Sequence, residues 1–363
     1  MSDTSPGAEA FQKRVLDHLA GAYLVAMCYL GDRLGLFRSL AEHGPATSEA
    51  LAQRLGLRER YVREWLYALA SAAYLTYDAD TEAFALPAEH RAILAEADDV
   101  RFLGGWFQLL AAQTQVTGHV ADAFRSGGGV LPSLYSPDLW EGEARTSAAS
   151  YATTLVADWR RLLPGVVERL ERGADVADIG CGAGFALQAL ATAFPRIRCV
   201  GYDPAPPAVE QATLRVRAAG LADRVTFAVW NPATPLPGRY DLITTFMVVH
   251  DAARPQSLLT TIRAAVRSGG LYVCRDLFGP PRFDPTLGLR GVLCYSESVL
   301  YCLTTALAAG GDGLGSLGLT AERFLAMCQE AGFGDVRQIE LDDPLAGLFL
   351  AHSAHVPPPT DAG

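Results

Sequence analysis

The sequence predicts an α/β protein, with a parallel sheet covered by helices on both faces and a smaller helical domain of winged-helix type ahead of it. Three observations carry this. From Gly173 on, short apolar runs alternate with helical periodicity, in the order strand, helix, strand, helix. The strand candidates are almost continuously apolar, as strands buried on both faces are. Before residue 95 the pattern is instead helix, tight turn, helix and one hairpin.

In the N-terminal part, residues 1–95, "TSEALAQRLGL" offers Thr47 as helix N-cap, Leu51 and Leu55 as an apolar pair and Gly56 as a stop. A second helix is expected over roughly residues 58–73. "LTYDADTEAFAL" then alternates around Asp78-Ala79-Asp80, a hairpin. The functional reading of such a unit is DNA binding through Arg58, Arg60 and Arg63. Glu59 and Glu64 offset those arginines, and Trp65, Leu66 and Leu69 make the helix largely apolar. A packing and dimer surface is therefore the better expectation, because phosphate contacts need a net positive face. Phe11, Val15, Leu19, Met27, Leu30 and Leu34 form an apolar stripe that suits a partner subunit.

Residues 96–165 read as aromatic-rich helices carrying Trp106, Phe107, Trp140, Tyr151 and Trp159. These rings suit interdomain core, the wall of a substrate pocket, or both. Residues 166–353 hold the α/β pattern, with an insertion over 280–318. Its seven strand candidates are "ADVADIG", "IRCVGYDP", "VTFAVW", "YDLITTFMVV", "GGLYVCRDLFG", "DVRQIEL" and "LAGLFLAH". The residues up to Gly7 and the tail from 354 to 363 read as disordered.

Composition narrows the function classes. A net charge of −10 with no basic block argues against nucleic acid or an anionic membrane as partner. No apolar run approaches the roughly 20 residues of a membrane span, and the start lacks a signal-peptide layout. Seven cysteines with no C-x-x-C fit reduced thiols in a cytoplasmic protein.

The chemistry concentrates at the carboxyl ends of the strands, where ligands bind in open α/β sheets. "DIGCGAG", Asp178 to Gly184, joins the first strand to the first helix, and Gly180, Gly182 and Gly184 let backbone approach a ligand. A dinucleotide fingerprint would need glycine at Phe185, so that reading fails. Asp203, followed by Pro204, ends the second strand, where a carboxylate can hold both hydroxyls of a ribose. Asn231 ends the third, placed for an adenine edge, with Trp230 able to stack. A tight turn alone explains a lone glycine loop; the loop, the acid and the polar strand end together are specific. His250 and Asp251 close the fourth strand in "ITTFMVVHDAARP". The bland reading is a histidine capping a strand. The sharper one is a proton-moving site, with either Asp251 or Asp276 of "CRDLFG" as its orienting acid.

On these motifs residues 170–352 resemble the class I S-adenosylmethionine-dependent methyltransferases, with a Rossmann-like seven-stranded sheet. The winged helix ahead of that domain resembles the dimerisation domain of plant-type and actinobacterial small-molecule O-methyltransferases. The resemblance implies S-adenosyl-L-methionine bound along "DIGCGAG", Asp203, Asn231 and Phe246, and a homodimer methylating a small metabolite of secondary metabolism. An acid is commoner than Asn231 at its position. "VVHDAARP" looks like the His-Asp pair of plant-type members, making His250 the general base. Some relatives are C-methyltransferases of 2-oxo acids that hold iron through a His-Asp pair and a further histidine. Tyr301 stands at the third position here, so metal-free catalysis on a hydroxyl is the expectation, with metal-assisted C-methylation the alternative. A regulator sensing the cofactor, or a homologue that keeps the cofactor but does not methylate, are the further alternatives.

Overall fold

The computed structural model describes residues 6–343 and 345–353. The expected disordered tail and the first five residues lie outside these, while Pro6 and Gly7 already belong to the first helix. The chain divides into two compact units. One holds the residues up to Ala111 together with Glu141–Ala149; the other holds Ala112–Trp140 and the residues from Ser150 on. The aromatic-rich stretch 96–165 is thus shared between them.

In the first unit, the helix Pro6–Arg33 is followed by Leu36–His43, Ser48–Leu55 and Glu59–Ser71. A hairpin of β1 (Thr76–Asp78) and β2 (Ala83–Ala85) comes next, then a helix Ala88–Leu94. The local signals are realised as expected. Thr47 Oγ1 accepts the Ala50 N–H at 3.3 Å, and Gly56 ends its helix in the left-handed region at φ 67°. Asp78 accepts from the Asp80 N–H and the Thr81 hydroxyl to close the hairpin turn. Leu51, Trp65, Leu66, Leu69 and Phe84 form the core. Arg63 pairs with Glu59 and Arg60 with Glu64, one helical turn apart, so both arginines are engaged within their own helix. On the Pro6–Arg33 helix Phe11, Leu16, Leu19 and Tyr23 are exposed, whereas Met27 turns inward against the core.

The second unit is built on seven strands: β3 (Asp175–Ile179), β4 (Arg198–Asp203), β5 (Val225–Val229), β6 (Tyr240–Phe246), β7 (Val266–Leu277), β8 (Phe333–Ile339) and β9 (Ala346–Ser353). Their order in the sheet is β5-β4-β3-β6-β7-β9-β8. β3 to β7 are parallel, and β9 runs antiparallel to both β7 and β8. Separate cores cover the two faces, one holding Leu187, Leu190 and Phe194, the other Leu258, Ile262 and Phe324. The strand order reverses beside β3, which puts the topological switch point, where such sheets bind ligands, at the carboxyl edge of β3 and β6.

In two places the structure departs from the pattern of the sequence. The fourth strand stops at Phe246 rather than running through Val249, because Met247, whose N–H makes the last ladder bond to the Arg275 carbonyl, takes a left-handed φ of 60°. The apolar run therefore ends in a turn, not a strand, with Met247 exposed and Val249 buried. The insertion forms one continuous helical stretch, Pro285–Ala308, whose middle turn, Ser298–Cys302, is a wide π-turn. By length and composition this stretch is apolar enough to cross a membrane. Ser298, Cys302, Thr304 and Ala306 on it are nevertheless buried within the second unit, while Leu289, Val292 and Leu293 are exposed.

Candidate active site

The glycine loop after β3 is held in place by its neighbour strand. The Gly180 and Cys181 N–H groups both donate to the Tyr202 carbonyl, and the Gly182 N–H donates to Asp203 Oδ2 at 2.9 Å. Asp203 Oδ1 accepts the Ala205 N–H at 2.8 Å, so this carboxylate at the end of β4 shapes two turns at once. Gly184 begins the next helix at φ 79°, and a Cβ there would stand 2.6 Å from the Phe227 ring. Gly182, at φ 50°, faces open space, as a loop that admits a ligand close to its backbone must.

Asp178 and Asp203 are both buried, and neither is in an ion pair among the described residues. Burial pushes Asp178 up to about 7, the Thr244 hydroxyl bond pulling it down and the Asp203 charge adding to the rise. Burial raises Asp203 as well, against the two backbone N–H bonds that favour its charged form. A cationic ligand over this loop would supply the missing positive charge. S-adenosylmethionine carries a sulfonium and an ammonium, so the donor set fits it.

The other ligand-side expectations divide. Asn231 is exposed, and its Oδ1 accepts the Ala233 N–H in an Asx turn. Pro204 is exposed beside Asp203. Trp230, expected as a stacking platform, is instead 5% exposed and packs edge-on against Tyr202 in the core. Phe246 is likewise buried, with Tyr151 edge-on at 5.5 Å and Trp159 stacked at 6.2 Å. Trp159 is closed into that core at 2% exposed, and of this trio only Tyr151 keeps an open edge. Trp140 is half-buried, and Tyr301 packs edge-on against Tyr135. Trp106 lies in the first unit, on the helix Gly104–Thr114, and is exposed.

At the carboxyl end of β6 the question of the orienting acid resolves geometrically. Asp276, fully buried at the end of β7, places Oδ1 2.5 Å from His250 Nδ1. The same carboxylate accepts the N–H groups of Val249 at 2.7 Å, Val248 at 3.3 Å and Leu277 at 2.8 Å. It thus fixes the turn that carries His250 as well as the ring. Asp251 has no hydrogen bond to the ring among the described residues. Burial pushes its carboxyl up to about 7, the His250 charge opposing and the Asp276 and Asp203 charges adding to the rise. Burial alone would lower His250. The Asp276 charge and hydrogen bond, with Cys302 and Asp251 behind them, outweigh it and hold the imidazole well above the ordinary histidine value.

Sequence reasoning did not single out three groups around this ring. Cys302 Sγ lies 3.6 Å from Nε2, Ser316 Oγ donates to that sulfur, and Glu297 lies within charge range. Cys302 was visible only as the neighbour of Tyr301, and nothing in its helix signals a histidine 52 residues away.

A glycine loop with a strand-end acid on one side, and a histidine–carboxylate dyad across the same sheet edge, define a group-transfer enzyme with a nucleoside-type cofactor. Two family profiles agree: an Rv2258c-like winged HTH domain over residues 22–96 and a methyltransferase domain over 177–272. Over 366 aligned residues the chain is 29% identical to the N,N-dimethyltransferase OxyT of Streptomyces rimosus, covering 96% of this chain and 98% of that one. Its fold matches PigF solved with SAH (TM-score 0.71, 21% identity, 94% and 99% of the two chains). It also matches the mitomycin 7-O-methyltransferase MmcR (TM-score 0.71, 19% identity, 96% and 100%). The chain thus joins an N-terminal winged HTH domain to a methyltransferase domain, and its cofactor is S-adenosylmethionine.

Proposed function

We propose that the chain methylates a hydroxyl of a small, partly aromatic metabolite, with His250 as general base and Asp276 as its orienting acid. The observation that carries this is the buried His250–Asp276 dyad at the same sheet edge as the glycine loop. When bound, S-adenosylmethionine supplies an electrophilic methyl group. What the chain supplies is alignment of the acceptor and removal of its proton. Nδ1–H donates to Asp276, so Nε2 receives the acceptor's proton, and the carboxylate stabilises the imidazolium that results. A second reading, methyl transfer to an amine, is favoured by the likeness to OxyT and by the acidic groups, Asp251 and Glu297, around the ring.

A panel of phenolic and amine acceptors with methyl-labelled donor separates the two. On the best acceptor, Asp276→Asn lowers turnover by roughly 10²-fold, because an amide no longer holds the Nδ1–H tautomer. It also moves the acid limb of the pH profile to lower pH, since Asp276 raises the ring. Asp251→Asn moves the limb less. Equal effects of the two variants overturn the assignment of Asp276.

We further propose a homodimer formed through the first unit, supported by the exposed Phe11, Leu16, Leu19 and Tyr23 on one helix. Light scattering of the full chain gives twice the mass of one chain, and Leu19→Glu together with Tyr23→Glu halves it. A monomeric wild type sinks this proposal.

A further inference from the structure

His250 is gripped at both nitrogens. Asp276 takes Nδ1 at 2.5 Å, and Cys302 Sγ stands 3.6 Å from Nε2. The sulfur is itself held, because Ser316 Oγ donates to it at 3.3 Å. Ser316 is fixed in turn by its backbone N–H, which donates to Ser298 Oγ at 3.2 Å. All four side chains, Asp276, His250, Cys302 and Ser316, are buried. They come from β7, the turn after β6, the π-turn and the loop downstream of the Pro285–Ala308 stretch. The π-turn carries Cys302 as its last residue. One extra residue in a turn rotates the side chains beyond it by about 100° relative to an α-helix, so this turn decides which way Cys302 faces.

We propose that Cys302 is a positioning residue for the base: its sulfur clamps Nε2 of His250 in the acceptor-free enzyme and yields that place to the acceptor. This rests on reading His250 as the base. An imidazole tied at one nitrogen can still swing about that bond, whereas one tied at both keeps its plane. A thiol sulfur is a weak hydrogen-bond partner. It therefore holds the ring without outcompeting the oxygen or nitrogen of an acceptor, as a hydroxyl in its place would. With the ring protonated, Nε2–H donates to the sulfur, which Ser316 also approaches as donor.

The clamp leaves a trace in the ring's titration. The groups that face the imidazole are Asp276 from β7, Asp251 from its own turn, and Cys294, Glu297 and Cys302 from the Pro285–Ala308 stretch. Burial lowers the ring; Asp276, Cys302 and Asp251 raise it. Removing the sulfur takes away one raising contact and lets the ring titrate at lower pH.

The test uses the full chain labelled with ¹⁵N-histidine, without acceptor, and His250→Gln to assign the His250 ring signals. In the wild type the Nε2 proton is protected from exchange with water. Cys302→Ala loses that protected signal and moves the ring's titration midpoint to lower pH. Cys302→Ser retains both, as rescue by a residue of similar shape and bonding requires. Should Cys302→Ala fail to fold, Cys302→Val, which keeps the volume and removes the sulfur, shifts the midpoint in the same direction. A Cys302→Ala protein that titrates as the wild type does overturns the clamp, and so does an unshifted Cys302→Val. Turnover does not enter this measurement. A His250→Ala protein with normal activity would remove the base reading while leaving the clamp result intact.

Discussion

Replacing His250 by alanine lowers methyl transfer by about 10²–10⁴-fold, the usual contribution of a positioned general base. Affinity for S-adenosylmethionine stays close to that of the wild type, because the glycine loop and Asp203 belong to a different part of the sheet edge. The pH profile is a second readout with a fixed sign. The Asp276 carboxylate holds the imidazole well above its ordinary value, so the ring stays protonated further up the pH scale. Only the neutral ring accepts a proton, and wild-type turnover therefore rises with pH and reaches half its plateau above about 6.5, the ordinary histidine value. Steady-state rates on the best acceptor of the panel measure both. Turnover of His250→Ala within a few-fold of the wild type would assign acceptor alignment, not proton removal, as the main device.

Asp203→Ala weakens donor binding by about 10²-fold or more. Two charge-assisted hydrogen bonds to a ribose are each worth about 1.5–3 kcal/mol. The structure adds a second reason for a large effect. Asp203 accepts the N–H groups of Gly182 and Ala205, so its loss also frees the loop that has to meet the ligand. Asp203→Asn keeps the shape and one acceptor oxygen and binds with intermediate affinity. Titration calorimetry with S-adenosylmethionine and its demethylated product reads the series. An Asp203→Ala protein that binds both as the wild type does would place the cofactor elsewhere.

The elements were legible where their causes are local. Thr47 and Gly56 mark helix ends through their own backbone geometry, and the apolar runs of β3, β4 and β6 reflect burial on both sheet faces. The glycine loop was legible for the same reason, since its positive φ angles are written in its composition. The features that stayed hidden depend on partners distant in sequence. "MVV" after Phe246 looks like more strand, because the group that satisfies the N–H of Val249 is a carboxylate 27 residues later. Trp230 has the chemistry of a stacking platform, yet only the packing of Tyr202 beside it reveals that its ring faces the core. Asp251 and Asp276 were equal candidates until the parallel pairing of β6 with β7 set Asp276 beside the ring.

One side chain at the end of β7 serves two masters. Asp276 orients the imidazole, and it also closes the turn of Val248 and Val249 and receives the Leu277 N–H. An asparagine there must turn its amide nitrogen toward one of those backbone donors, whichever way it flips. Leaving a buried donor unanswered costs about 1–3 kcal/mol. Position 276 is therefore penalised twice by any change, once in folding and once in chemistry, and neither can be tuned alone. Laboratory evolution of this scaffold toward new acceptors should find its freedom around Tyr151 and Tyr301 and meet a closed door at 276.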